Sequence, residues 1–361
     1  MSAAKWRHAM SGRTADAGVP APQAQPQRPA STSRLIDGAF LWPHLVLLAA
    51  LLLYPWLADP FFIFQIGAQT LVLGLLALSL ALLGGYGGMV TLSQMTVAGI
   101  AGYAVAIIGT AGATTQSINL GWPWWLAIPL AVLIGTFAAT LIGMLAVRTE
   151  GIYTIMITLA IGVAFYYLAQ QNYLLFNGFQ GIQQVLPPIL FGLDWRSPMP
   201  YYYLALALAI LGYAGVTYIV RAPFGMALQG IRDNPRRMAA LGFDVNLHRV
   251  AAHALGGVIA SAAGVLFIYY NGRISSSTVS MGAMINVLII AVLGGLRHPI
   301  GPFIGALVFV LLQNFAIDLI ERERFNLVIG GVFLAIVLFS PDGLLGLWQR
   351  LRNIGGPRGK P

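Results

Sequence analysis

The sequence predicts an all-α, polytopic membrane protein of about ten transmembrane helices (8–10), with both termini in the cytoplasm. Three observations predict it. Hydrophobic residues make up 58% of the chain and charged residues 9%, against about 25% charged in a soluble globular domain. Such a chain cannot cover a water-facing surface, so its exterior must face lipid. Apolar stretches recur along the chain at about 20 residues each, the length that crosses about 30 Å of hydrocarbon as helix. When these stretches are alternated across a bilayer, 16 of the 20 Lys and Arg fall on one side, as the positive-inside bias requires.

Residues 1–38 form the first segment. Its Pro20–Arg34 stretch is rich in Pro, Gln and Ala and too polar to repay the cost of ordering, which predicts a disordered cytoplasmic tail. No apolar run directly follows the early basic residues, so a signal peptide is not expected here. The transmembrane domain is expected over 39–347, with spans near 39–58, 61–84, 87–110, 122–147, 151–172, 199–220, 250–270, 280–296, 300–318 and 326–340. The third opens on Gly84, Gly85, Gly87 and Gly88 and carries Thr91, Ser93, Gln94 and Thr96. Glycine weakens a helix, and polar groups at membrane depth need partners, so an interrupted helix is expected there. Two loops are long: 173–198 outside and 221–249 inside. Residues 348–361 form a second cytoplasmic tail.

The inner loops hold Arg148, Arg221, Arg232, Arg236, Arg237, Arg249 and Arg297, and the tails hold the other inner cations. Arg196, Arg273, Arg322 and Arg324 lie outside. Acidic residues split 6 inside to 5 outside, as expected if only basic residues carry the signal. One missed helix would invert the bias beyond it, so an even number of spans is favoured. Trp42, Trp56, Trp122, Trp124, Trp125 and Trp348 lie near span ends, where amphipathic rings prefer the interface.

The chemistry that is missing narrows the function. There is no cysteine, which removes disulfides, thiolate metal sites and thiol nucleophiles. The five histidines include one close pair, His248 and His253, and a spacing of five does not stack on one helix face. Both lysines, Lys5 and Lys360, lie in the tails, so no P-loop exists. The net charge of +9 maps topology and gives no reason to invoke nucleic acid. No Asp or Glu lies mid-span: Asp59, Glu150 and Asp318 are all at ends, which disfavours a proton relay. Ser261 and His253 are the one nucleophile–base pair that can be built, and about two helical turns keep them apart. A passage powered from elsewhere is the simplest reading. A stand-alone secondary transporter or channel for a small neutral solute such as urea is the alternative.

The inner loop reads as helix, break, helix. Gly225–Arg232 is amphipathic, Asp233 or Asn234 can cap the next helix, and Pro235 suits its first turn. Arg236–Leu241 follows, with Gly242 at the position after the helix end. Such a short helix suits a groove of a soluble partner. A basic loop that holds topology against anionic lipid fits the same residues.

The motif Gly225-x-Ala227, Ile231-Arg232-Asp233-Asn234-Pro235-x-Arg237, Leu241-Gly242 resembles the coupling loop of permease subunits in branched-chain amino acid ABC importers. Four further motifs are similar to that family in the same order. They are Gly84-Gly-Tyr-Gly-Gly88 with Ser93 and Gly99 to Tyr103; Arg148-x-x-Gly151-x-Tyr153 with Ile157 to Ala160; Leu293-Gly-Gly-Leu296 with Gly301-Pro302 and Gly305-Ala306; and Pro341-x-Gly343-Leu344. Together they cover roughly residues 65–347.

The resemblance implies a permease of the plasma (inner) membrane. It would act with a homologous permease, two cytoplasmic ATPase subunits and an external solute-binding protein. ATP would bind on the partner chains, and this chain would need no cofactor, metal or catalytic residue of its own. Coupling would pass through Arg232, Asp233, Asn234, Pro235, Arg237, Ala239, Ala240, Leu241 and Gly242. Ser93, Gln94, Thr96, Thr158 and Asn286 are the polar groups at membrane depth from which a solute pathway would be built. Buried helix-to-helix hydrogen bonding is the competing role for them. Two departures leave the solute open between branched-chain amino acids and urea or short amides. Ser93 is followed by Gln94-Met95-Thr96, without the family's histidine. The outer loop reads Asn177-Gly-Phe-Gln-Gly181 in place of the family's Thr-Gly-Gly.

Overall fold

The computed structural model describes residues 38–109, 119–190, 193–319, 330–331, 334 and 343–346. The two predicted tails and nearly all of the span expected at 326–340 lie outside them. The chain divides into two units, one ending at Leu51 and one beginning at Leu52. The described part of the first is the opening stretch of α1 (Gly38–Leu57), with Val46 and Leu47 exposed.

The second unit holds the rest. Its helices are α2 (Phe62–Tyr86), α3 (Gln94–Ile108), α4 (Trp124–Ala146), α5 (Ile152–Gln171) and α6 (Tyr173–Phe176). After three short strands come α7 (Pro198–Arg221), α8 (Pro223–Asp233), α9 (Pro235–Ala240), α10 (Val245–Asn271), α11 (Met281–Gly294) and α12 (Gly301–Leu319). Five of these are long and apolar enough to cross a membrane: α2, α4, α5, α7 and α10. α3 and α11 are shorter apolar helices. The expected interruption of the third span is present. Residues 87–93 are not helical, and α3 starts at Gln94.

The all-α expectation needs one small amendment. Strands β1 (Ile182–Gln183) and β4 (Arg273–Ile274) pair antiparallel, with Ile182 opposite Ile274. Strands β2 (Ile189–Leu190) and β3 (Leu193–Asp194) form a second pair. These strands tie down the long loop between α6 and α7 and lie on no membrane span.

Burial follows composition. α2 is apolar all round, and Leu76, Leu78, Leu80 and Leu82 are buried among α7, α10, α11 and α12, as an all-apolar helix must be. Its ends open into π-helical turns, Phe62–Ala68 and Leu82–Tyr86. α3, α4 and α10 meet through small residues. A Cβ at Gly264 would sit 2.3 Å from the Ala98 carbonyl, and one at Gly257 would sit 2.4 Å from the Ala139 Cβ. Close backbone approach of this kind drives helix association in lipid, where apolar contact alone gives no advantage. Leu133 and Phe137 of α4, Leu168 of α5 and Leu211 of α7 face outward, a pattern that lipid accommodates.

The basic loops gather at one end of this unit. Arg232 reaches the end of α2, Tyr86 reaches the backbone of Arg297, and Arg249 reaches Glu150. The β1–β4 pair marks a different set of loops.

Candidate functional site

The inner loop folds as its cap residues dictate. Asn234 has extended backbone, and its Oδ1 accepts from the Arg237 N–H at 3.0 Å, with Pro235 at the first helical position. Of the two cap candidates, Asn234 takes the role. Asp233 pairs instead with the Arg232 Nε at 2.9 Å. α9 ends on Gly242 at φ +92°. The Gly242 N–H donates to the Ala239 carbonyl and the Phe243 N–H to the Met238 carbonyl, the paired bonds of a Schellman motif.

α8 carries the anchoring face. Leu228 packs with Leu83, Met89 and Ala252, and Ile231 is fully buried. α9 buries no residue. Met238 rests against Gly230, where a Cβ would lie 2.9 Å from its sulfur. Arg236, Arg237, Ala239, Ala240 and Leu241 are exposed. The loop is therefore a braced platform that holds out a short helix with a small, partly apolar face.

The broken third span holds the polar cluster. The Ser79 hydroxyl lies 3.0 Å from Gln94 Oε1, and Gln94 Nε2 donates to Thr91 Oγ1 at 3.4 Å. The Leu92 N–H, freed by the break, donates to the Thr158 hydroxyl at 3.2 Å. Thr158 in turn donates to the Thr154 carbonyl at 2.9 Å, and Thr154 to the Thr149 carbonyl at 3.0 Å. Buried polar groups in lipid must find partners within the protein, and this thread supplies them down α5 to the basic end. There, Gly88, Thr149, Glu150, Thr154 and Arg249 line a polar cleft of about 40 Å³.

Of the polar residues singled out in the sequence, Ser93, Gln94, Thr96 and Thr158 are buried within this chain and Asn286 is half-buried. Gln94 spends its hydrogen bonds on Ser79 of α2 and on Thr91, and Thr158 accepts from Leu92 in the break. Thr96 Oγ1 is buried without a hydrogen-bond partner, close to Gly162 and Met284. Among the described residues Asn286 sits apart from this network.

Three participants were missed. Ser79 was legible as the lone polar residue between Thr70 and Gly84. Gly85 offers its backbone carbonyl to Arg232, and no side-chain signature marks such an acceptor. Tyr86 donates its hydroxyl to the Arg297 carbonyl at 3.0 Å.

Residues 62–337 match a family described as the permease component of branched-chain amino acid transport systems. The chain is 26% identical to the high-affinity branched-chain amino acid transport permease LivM of Salmonella typhimurium, over 86% of this chain and 76% of that protein. LivM of Escherichia coli is likewise 26% identical, over 90% of this chain and 80% of that protein. The ribose import permease RbsC of Haemophilus influenzae is 23% identical over 68% of this chain and 76% of its own length. No solved structure matches the chain.

Proposed function

The chain belongs to the permease-component family of branched-chain amino acid transport systems, and from that premise we propose that it forms half of the passage of an ATP-driven importer. Its homologues are importer permeases, and with its apolar helices it is a multi-pass protein of the inner membrane. In the proposed complex it pairs with a homologous permease, binds two cytoplasmic ATPase subunits and receives solute from an external binding protein. The solute class is branched-chain amino acids, which two LivM relatives carry in their names. ATP binds on the partner chains. About ten spans in a transmembrane domain over 39–347, with cytoplasmic tails at each end, complete the reading.

One observation carries it. α9 is capped at both ends, buries none of its own residues and exposes Ala239, Ala240 and Leu241. A short helix kept wound by its caps, with its small side chains exposed, is shaped to dock in a partner's groove. Asn234 and Gly242 shape that helix, Pro235 starts it, Arg237 flanks it, and Arg232 with Asp233 anchors its base. For the pathway, Thr96 keeps an unused hydroxyl, Ser93 lies three residues before it, and Asn286 is half-buried on α11. Gln94 and Thr158 shape the broken span that such a pathway would follow.

The test is association. The chain purified in mild detergent from its native membrane should carry ATPase subunits, and these should leave when Met238–Leu241 is replaced by a Gly/Ser segment. Absence of ATPase subunits in both preparations sinks the reading. Solute movement by the purified chain alone, without ATP, would point to a stand-alone carrier instead.

A further inference from the structure

A charged side chain joins the inner loop to the membrane helices. Arg232 closes α8, and its Nη1 donates to the Gly85 carbonyl at 2.7 Å. The last carbonyls of a helix lack partners within that helix, and Gly85 lies in the π-helical end of α2. The Gly87 and Met89 N–H groups turn back to Leu82 and Leu83, which leaves the Gly85 carbonyl to the guanidinium. The aliphatic stem of Arg232 continues onto Gly88, where a Cβ would sit 2.6 Å from Cγ and where φ is +68°. Arg232 therefore grips both ends of the glycine run that begins the broken span. Its Nε stays paired to Asp233 on the loop side.

The apolar contacts of α8 are of a different kind. Leu228, Leu83, Met89 and Ala252 meet through apolar surface, which can slide. A charge-assisted hydrogen bond to a backbone carbonyl is directional and stronger than a neutral one. What it holds leads straight into the polar cluster. Gly85 also abuts the Leu296 carbonyl, Tyr86 bonds the Arg297 carbonyl, and the chain runs on to Leu92, bonded to Thr158, and Gln94, bonded to Ser79.

Resting on the importer reading above, we propose that Arg232 is the positioning residue that carries movement of α9 into the broken third span. Displacement of α9 by docked ATPases would be passed through Arg232 to Gly85–Gly88, and so to the segment that orders Thr91, Leu92 and Gln94. Arg232 touches no solute in this scheme. It acts through the backbone it holds.

The absence of cysteine gives a clean test. Val90 is half-buried in the break and lines the polar inner cleft, so a single Val90→Cys reports on that segment to a small water-soluble thiol reagent. In the assembled complex with its ATPases, the labelling rate should change about tenfold between nucleotide-free and ATP–vanadate states. Arg232→Met keeps the stem over Gly88 and removes every donor. It should leave ATPase association intact and make labelling independent of nucleotide. Arg232→Lys keeps one donor and should fall between the two. Nucleotide-dependent labelling unchanged in Arg232→Met overturns the proposal, and so does loss of the ATPases from that variant, which would make Arg232 a docking residue. If Arg232→Met does not fold, Arg232→Lys decides alone: a response as large as that of the parent overturns the proposal. Failure of the parent chain to hold ATPases at all would instead refute the importer reading.

Discussion

The Leu92 N–H donates to the Thr158 hydroxyl, 3.2 Å away and 66 residues along the chain. This bond joins the broken third span to α5 and satisfies a backbone donor that the break exposes. Thr158→Val keeps the shape and removes the acceptor. Leu92 and Thr158 are both buried, so its N–H is left without a partner. An unsatisfied buried donor costs about 1–3 kcal/mol. The variant should unfold at lower temperature in detergent than the parent, while Thr158→Ser should remain near it. Equal stability of the Val variant would show that Leu92 finds another acceptor.

Asn234 determines whether α9 stays wound. Its side chain accepts from the Arg237 N–H at 3.0 Å, and α9 spans only six residues, so little else holds its first turn. Asn234→Ala should cost about 1 kcal/mol locally. By hydrogen exchange, the Arg237 and Met238 amides should then open about fivefold more often. Asn234→Asp retains an acceptor and should exchange like the parent. Unchanged protection in the Ala variant would mean that the Schellman end alone holds the helix.

The features legible in the sequence are those governed by nearest neighbours. Span positions follow from hydropathy, so α4, α5 and α7 lie within a few residues of the expected stretches. Asn234, Pro235 and Gly242 act within four residues of what they cap. The break after Tyr86 was legible because glycines and hydroxyl residues cluster there. The partners were not legible. Arg232 and Gly85 are 147 residues apart, and a backbone carbonyl has no residue type to betray it. The π-helical ends of α2 are similarly silent, since Phe62–Ala68 reads as ordinary apolar helix.

Glycines that look alike in the sequence differ by what faces them. A Cβ at Gly264 in α10 would lie 2.3 Å from the Ala98 carbonyl and 2.5 Å from its Cα, so the α3 backbone itself must move. Gly215 in α7 has nothing within 4 Å. Gly264→Ala should destabilise by about 1–3 kcal/mol through overpacking. Gly215→Ala should stabilise by about 0.5–1 kcal/mol, because alanine loses less backbone freedom in a helix. Thermal unfolding of the two variants in one detergent should move in opposite directions. No loss of stability in Gly264→Ala would mean that α3 and α10 are not packed this closely.

Ala240 separates folding from docking. It is exposed on α9, where no residue is buried, so Ala240→Glu removes no internal contact. Surface changes of this kind alter stability by at most about 0.5 kcal/mol. A partner groove shaped for Ala239, Ala240 and Leu241 would have to bury an unpaired carboxylate against that substitution, a cost of several kcal/mol. Each 1.4 kcal/mol weakens binding about tenfold, so ATPase subunits should be lost on purification while the unfolding temperature of the isolated chain is unchanged. Ala240→Ser, small and neutral, should retain them. If Ala240→Glu keeps its ATPases at parental levels, the docking face lies elsewhere on the inner loop, and α9 serves only to brace α8 and α10.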